Sequence, residues 1–120
     1  MNPEYGAEQL SICKRLGVSL FLSEAHQKLG VSGNILNGSW SWPLNGLRHP
    51  PYSETTGWYI WSGEFSESPD FFQPIHVVHL LNHCREVLAY LGLPPGWRFL
   101  IAPNHEDVWF DKKLLDVEGE

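Results

Sequence analysis

The sequence predicts an α+β fold: a small, mostly antiparallel sheet packed with one long amphipathic helix over about 75–91 and with N-terminal helices. Three observations predict it. Trp58–Ser62 is dense in aromatic and β-branched residues between Gly57 and Gly63, the pattern of a strand. Val77, Leu81, Cys84, Leu88 and Leu91 recur at spacings of 4, 3, 4 and 3, which draws one apolar seam along a helix. Trp97–Ile101 and Val108–Phe110 add two strand-like runs on either side of a Pro-Asn turn. With 120 residues, the chain is expected to form a single domain over 1–120 with one core.

Taken in order, Leu10, Cys13 and Leu16 form the stripe of a first helix that Gly17 ends. Ser23 is placed to cap a short second helix, Glu24–Leu29, although Val18–Leu22 reads equally as a buried strand. Residues 30–56 are rich in Gly, Asn, Ser and Pro. Gly33-Asn34, Asn37-Gly38, Asn45-Gly46 and Pro50-Pro51 all read as turns. The same stretch holds Trp40, Trp42, Leu36, Leu44 and Leu47, so packing is expected to order it. Glu64–Gln73 reads as an acidic loop. Pro74 sits where the long helix can begin, because its missing N–H is an orphan there, and Gly92 with Pro94-Pro95 stops that helix.

The net charge is −6, from 8 Lys and Arg against 14 Asp and Glu. That balance argues against nucleic acid, which calls for a basic face to displace counterions. No apolar run approaches the ~20 residues of a membrane span, and Met1–Gln9 lacks the features of a secretory signal, so a cytoplasmic protein with no membrane contact is expected. Cys13 and Cys84 then read as reduced, structural thiols. The charge is uneven. Residues 49–84 carry Glu54, Glu64, Glu67 and Asp70 and no Lys or Arg. Residues 104–120 hold six acids against Lys112 and Lys113. Such zones steer basic partners, and they also simply keep a protein soluble.

His76, His79 and His83 would share one helix face, at about 100° per residue, and are the candidate metal ligands. The pattern has neither HExxH nor paired Cys, so no metal and no cofactor is expected; a polar helix face is the simpler reading. No catalytic residues are assigned. Cys84 lies on the apolar seam, its neighbour His83 points elsewhere, and no GxSxG, phosphate-cradling or dinucleotide motif is present. Six Trp are several times the usual share. Trp97, Trp109 and one of Trp58 or Trp61 read as core. Alternation along the strand puts Trp58 and Ile60 on one side, Tyr59 and Trp61 on the other. Trp40, Trp42 and Arg48 are the candidate partner anchors, with Glu64, Asp70, Glu106 and Asp107 as candidate acidic contacts.

Three blocks carry a family resemblance: Asn45–Pro51 (NGLRHPP), Thr56–Glu64 (TGWYIWSGE), and Pro94–Ile101 (PPGWRFLI) continuing to Asp107–Asp111 (DVWFD). Together, over roughly 45–115, they resemble the bacterial immunity-protein 33-like family of polymorphic toxin systems. The resemblance implies an α+β cytosolic protein that binds and blocks a cognate protein toxin without catalysis. It assigns no contact residues and leaves the oligomeric state open. Two other readings stand beside it: a small metal- or ligand-binding protein using the histidine face, and an adaptor subunit of a larger bacterial assembly.

Overall fold

The computed structural model describes residues 3–116, with side chains from residue 5 onward; residues 1–2 and the last four residues of the acidic tail lie outside the described residues. Helix α1 (Pro3–Leu16) opens the chain. It turns Tyr5, Gln9, Ile12, Cys13 and Leu16 inward at helical spacing, whereas Leu10, expected in the stripe, is exposed. Gly17, at φ 73°, closes the helix: its N–H meets Lys14 O, and the Val18 N–H meets Cys13 O, which satisfies two orphan carbonyls.

Six strands follow: β1 (Lys28–Ser32), β2 (Leu44–Arg48), β3 (Thr55–Ser62), β4 (Phe72–His76), β5 (Trp97–Ala102) and β6 (His105–Phe110). They form one sheet in the order β4-β1-β3-β2-β5-β6. The β1–β3 pair is parallel and the other pairs are antiparallel, so the expected α+β, mostly antiparallel sheet is present, with six strands. Short helical turns complete the chain: α2 (Gly33–Leu36), α3 (Val77–Leu80), and two 3-10 turns, Arg85–Tyr90 and Lys112–Leu115.

Several expectations are overturned. The long helix over 75–91 does not exist. Ile75 and His76 pair with Leu29 and Lys28 as strand β4, α3 lasts one turn, Cys84 is extended at φ −161°, and a 3-10 turn follows. Cys84, Leu88 and Leu91 still reach the core, because successive short turns present a seam as well as one helix does. Pro74 starts no helix either. It lies inside β4, an edge strand, where a missing N–H costs no ladder bond. The helix expected at Glu24–Leu29 is replaced by a turn leading into β1, whose Leu29 and Val31 alternate into the core with period two. Ser23 caps nothing; its hydroxyl donates to Leu91 O at 2.8 Å.

Asn45-Gly46 is no turn but the middle of β2, with neighbours on both sides. A Cβ on Gly46 would fall 2.3 Å from the Phe99 ring, so the glycine is there to let that ring lie against the strand. Residues 30–56 are ordered, as expected, and contain the end of β1, α2, β2 and the start of β3.

The core lies on one side of the sheet. Leu29, Val31, Leu44, Trp58, Ile60, Phe99 and Ile101 meet Cys13 of α1, Ile35 of α2, Leu80 of α3, and Val87, Leu88 and Leu91 from the segment between β4 and β5. Burying each such aliphatic or Phe side chain contributes roughly 1.5–3 kcal/mol. Among the described residues, no helix is long and apolar enough to cross a membrane.

Candidate interaction surface

Strand alternation leaves a second face, opposite the core, and the register identifies its residues. Tyr59 and Trp61 of β3 project there, beside Asn45 and Leu47 of β2, which pair with them. Leu100 of β5 stands opposite Asn45, Asp107 of β6 opposite Leu100, and Phe72 and Pro74 of β4 flank β1. Tyr59, Trp61 and Phe72 stand outside the core into which the helical segments pack. At one end the C-terminal 3-10 turn reaches this side, where His49 Nδ1 lies 3.0 Å from Leu114 O and its ring 5.8 Å from Tyr59.

The centre of this face is a chain of rings. Tyr59 meets Phe72 at 5.0 Å, Phe72 meets Phe71 at 4.9 Å, Phe71 meets Phe65 at 5.6 Å, and Phe65 meets Trp61 at 5.5 Å, all edge to face. Such pairs contribute about 0.5–1.5 kcal/mol each beyond the area they bury. The loop between β3 and β4 is thereby held onto the sheet by Phe65 and Phe71. Tyr59 stays 38% exposed and Phe65 54% exposed. Beside them lies a cleft of about 180 Å³ whose lining includes Lys28, Gly30, Gly57, Tyr59, Phe72 and Pro74.

The same loop carries Glu64, Glu67 and Asp70, all exposed, and among the described residues none of the three makes an ion pair. Asp107 is exposed on the far side, 3.1 Å from His105 Nε2. Arg98, the cation of β5, is spoken for: it bonds Asp111 at 3.1 Å and lies over the Trp109 ring.

The residues singled out from the sequence scatter. Trp42 is exposed and meets Trp40 edge-on at 5.1 Å, and Trp40 leans on the core; the Trp42–Pro43 peptide is cis. Arg48 is fully buried, at 0% exposure, and presents nothing to a partner. Its guanidinium donates to the carbonyls of Thr56, Phe21, Leu22, Leu91 and Leu93, among the described residues it pairs with no carboxylate, and burial lowers its pKa to about 10. Its Nε–H satisfies the β3 backbone and its Nη groups close the loop ends over the core.

Glu106 and Asp107 are neighbours on a strand and so face opposite sides. Glu106 accepts from Arg15 at 2.7 Å and from Tyr90 at 2.6 Å, tying β6 to α1 and to the 3-10 turn. Arg15, then Tyr90, holds that carboxyl below its ordinary value, while burial first and Glu106 second raise the Tyr90 phenol. Trp97 is half-buried against the core and Trp58 and Trp61 are buried, but Trp109, expected in the core, is exposed at 39%.

The three histidines share no helix face. His76 ends β4, His79 is in α3 and His83 is in the turn after it; the His76 and His79 rings are 6.1 Å apart. Among the described residues no group of three His, Cys, Asp or Glu is placed to hold a metal. Cys13 and Cys84 are free and buried. Burial raises both thiols, Cys84 to about 12, which leaves them protonated and unreactive at neutral pH.

Sequence reasoning passed over Phe65, Phe71 and Phe72. Their signal was present: three aromatic side chains inside an otherwise polar, acidic loop, next to a strand already noted to have two aromatic faces.

Among families, the Imm33-like domain matches residues 8–111, reaching well into the N-terminal segment outside the three resembling blocks. No curated protein and no solved structure matches the chain.

Proposed function

Because the chain belongs to the Imm33-like domain family, we propose that it is a non-catalytic immunity protein that binds a cognate bacterial toxin in the cytoplasm and neutralises it by covering its surface. The observation that carries this reading is the family membership over most of the chain. The surface agrees with it. Acidic side chains without partners raise the association rate of a basic protein, and exposed aromatic rings supply contact area at small entropic cost. Trp42, Glu64, Asp70 and Asp107 remain proposed contacts, Trp40 supports Trp42 from beneath, Glu106 contributes its charge from the opposite side, and Arg48 is withdrawn.

Growth rescue tests the proposal. Induction of the toxin encoded beside this gene is expected to stop growth, and co-expression of the full chain to restore it. Unrelieved killing in cells that contain abundant, folded protein overturns the assignment for that toxin.

A further inference from the structure

Resting on that immunity reading, we propose that the aromatic sheet face centred on Tyr59 and Phe65, edged by Glu64, Glu67 and Asp70, is the surface that seats the toxin. The partner patch it fits is basic, with Arg or Lys side chains laid over the rings.

Among the described residues the aromatic face lacks a helical cover. Helical segments cover the core side, yet the opposite side leaves Tyr59 and Phe65 substantially exposed in one connected group of rings. Exposed aromatic groups of this kind mark interaction sites, and edge-to-face stacking holds these rings in place before anything binds. The neighbouring cleft of about 180 Å³ has room for one inserted side chain.

Charge selects the partner. Three acids that have no ion-pair partner among the described residues stand on the loop that the rings anchor, so rings and carboxylates form one surface. A guanidinium or ammonium gains twice there, from the carboxylates and from the negative ring faces. Of the cations nearby, Arg98 is held by Asp111, and Lys28, which lines the cleft, is one charge against three carboxylates. A second copy of the chain is the wrong occupant. Two-fold pairing through this face would bring the same three acids against one another, on a protein whose net charge is −6. Strand addition at the adjacent edge is also hindered, because β4 carries Pro74.

The test uses the full chain and the toxin encoded beside its gene, with growth rescue and with binding measured on purified proteins. Tyr59→Ser with Phe65→Ser is expected to weaken binding by about 30-fold or more, as loss of central aromatic contacts does. Glu64→Lys, Glu67→Lys and Asp70→Lys together are expected to slow association at least tenfold and to abolish its decline with added salt. The triple variant alters exposed loop positions only, so it carries the test even if the double variant folds poorly. Wild-type affinity and rescue in both sets, with melting temperatures unchanged, overturns this surface while leaving the immunity reading intact. Loss of binding in Trp42→Ala while the Tyr59/Phe65 and acidic variants both bind like wild type does the same, as does light scattering that shows a wild-type dimer dispersed by Tyr59→Ser. Failure of the wild type itself to rescue overturns the immunity reading and this surface with it.

Discussion

Arg48 donates from Nη1 to the carbonyl oxygen of Leu93 at 2.8 Å, across 45 residues of sequence and inside the core. The same guanidinium reaches the Leu91, Phe21 and Leu22 carbonyls and, through Nε, Thr56. It lies 4.8 Å from the Phe21 ring centre and 5.5 Å from that of Trp58. A buried cation costs free energy, and here five carbonyl acceptors and two rings offset that cost. The pair closes the loops before β1 and before β5 over the end of the sheet.

Arg48→Met is therefore expected to destabilise the protein by about 3–5 kcal/mol, since it strands several buried carbonyls at once. Arg48→Lys is expected to lose most of that as well, because an ammonium has no planar fork. Urea denaturation of the two variants against wild type checks this; a loss under ~1 kcal/mol in both would show that water replaces the guanidinium.

Gly57 sits at φ 90° with its Cβ position 1.9 Å from the His49 carbonyl oxygen. Gly57→Ala meets both a disfavoured backbone and a backbone atom that cannot swing aside. A loss of at least ~3 kcal/mol is expected. Gly46→Ala, whose obstacle is the Phe99 ring, is expected to cost less, about 1–3 kcal/mol, because a side chain can shift. Thermal melts of the two variants give the ranking, and equal stability would contradict it.

The thiols give an alkaline signature. Burial raises Cys84 from 9.0 to about 12 in the folded state. The folded protein then holds a proton that the unfolded chain releases, so stability is intact below pH 9 and is lost progressively between pH 9 and 12. Cys84→Ala is expected to show a shallower decline in that window, at the cost of a small cavity. At pH 8, a thiol reagent is expected to label neither cysteine until denaturant is added, and then two per chain. Rapid native labelling would mean that the core opens.

Glu106 gives the acid signature. Its carboxyl is held below the ordinary 4.5 by Arg15 and Tyr90, so the ion pair's contribution is present above that value and disappears as pH falls through the folded pKa. Glu106→Gln is expected to flatten the loss of stability below pH 4.5. At pH 7 its cost should stay below about 1 kcal/mol, because the pair is solvent-accessible. A pH series of melting temperatures for variant and wild type reads both quantities.

Two kinds of feature were legible in the sequence. Local chemistry marked β3, β5 and β6 through their β-branched and aromatic runs, and α1 through the glycine that closes it. Composition marked the acidic zones, and the three sequence blocks carried the family resemblance. Strand β4 and the missing helix were not legible, because Val77, Leu81, Cys84, Leu88 and Leu91 satisfy a helical period while the ladder with β1 claims 75 and 76. Nor was β2, because Gly46 reads as a turn until Phe99 is seen lying on it.

The sequence by itself determined the α+β class, the mostly antiparallel sheet, the family and the acidic character. The family rests on the resemblance of three blocks, and the others depend on residue type and near-neighbour spacing. Only the tertiary structure decided which aromatic and charged residues meet solvent. It buried Arg48 against five carbonyls brought from distant segments, exposed Trp109, and gathered Tyr59, Phe65 and Phe72 on the face opposite the core. Whether a Trp or an Arg is anchor or core depends on what the sheet register and the loop ends set beside it. That information is long-range, and no local pattern carries it.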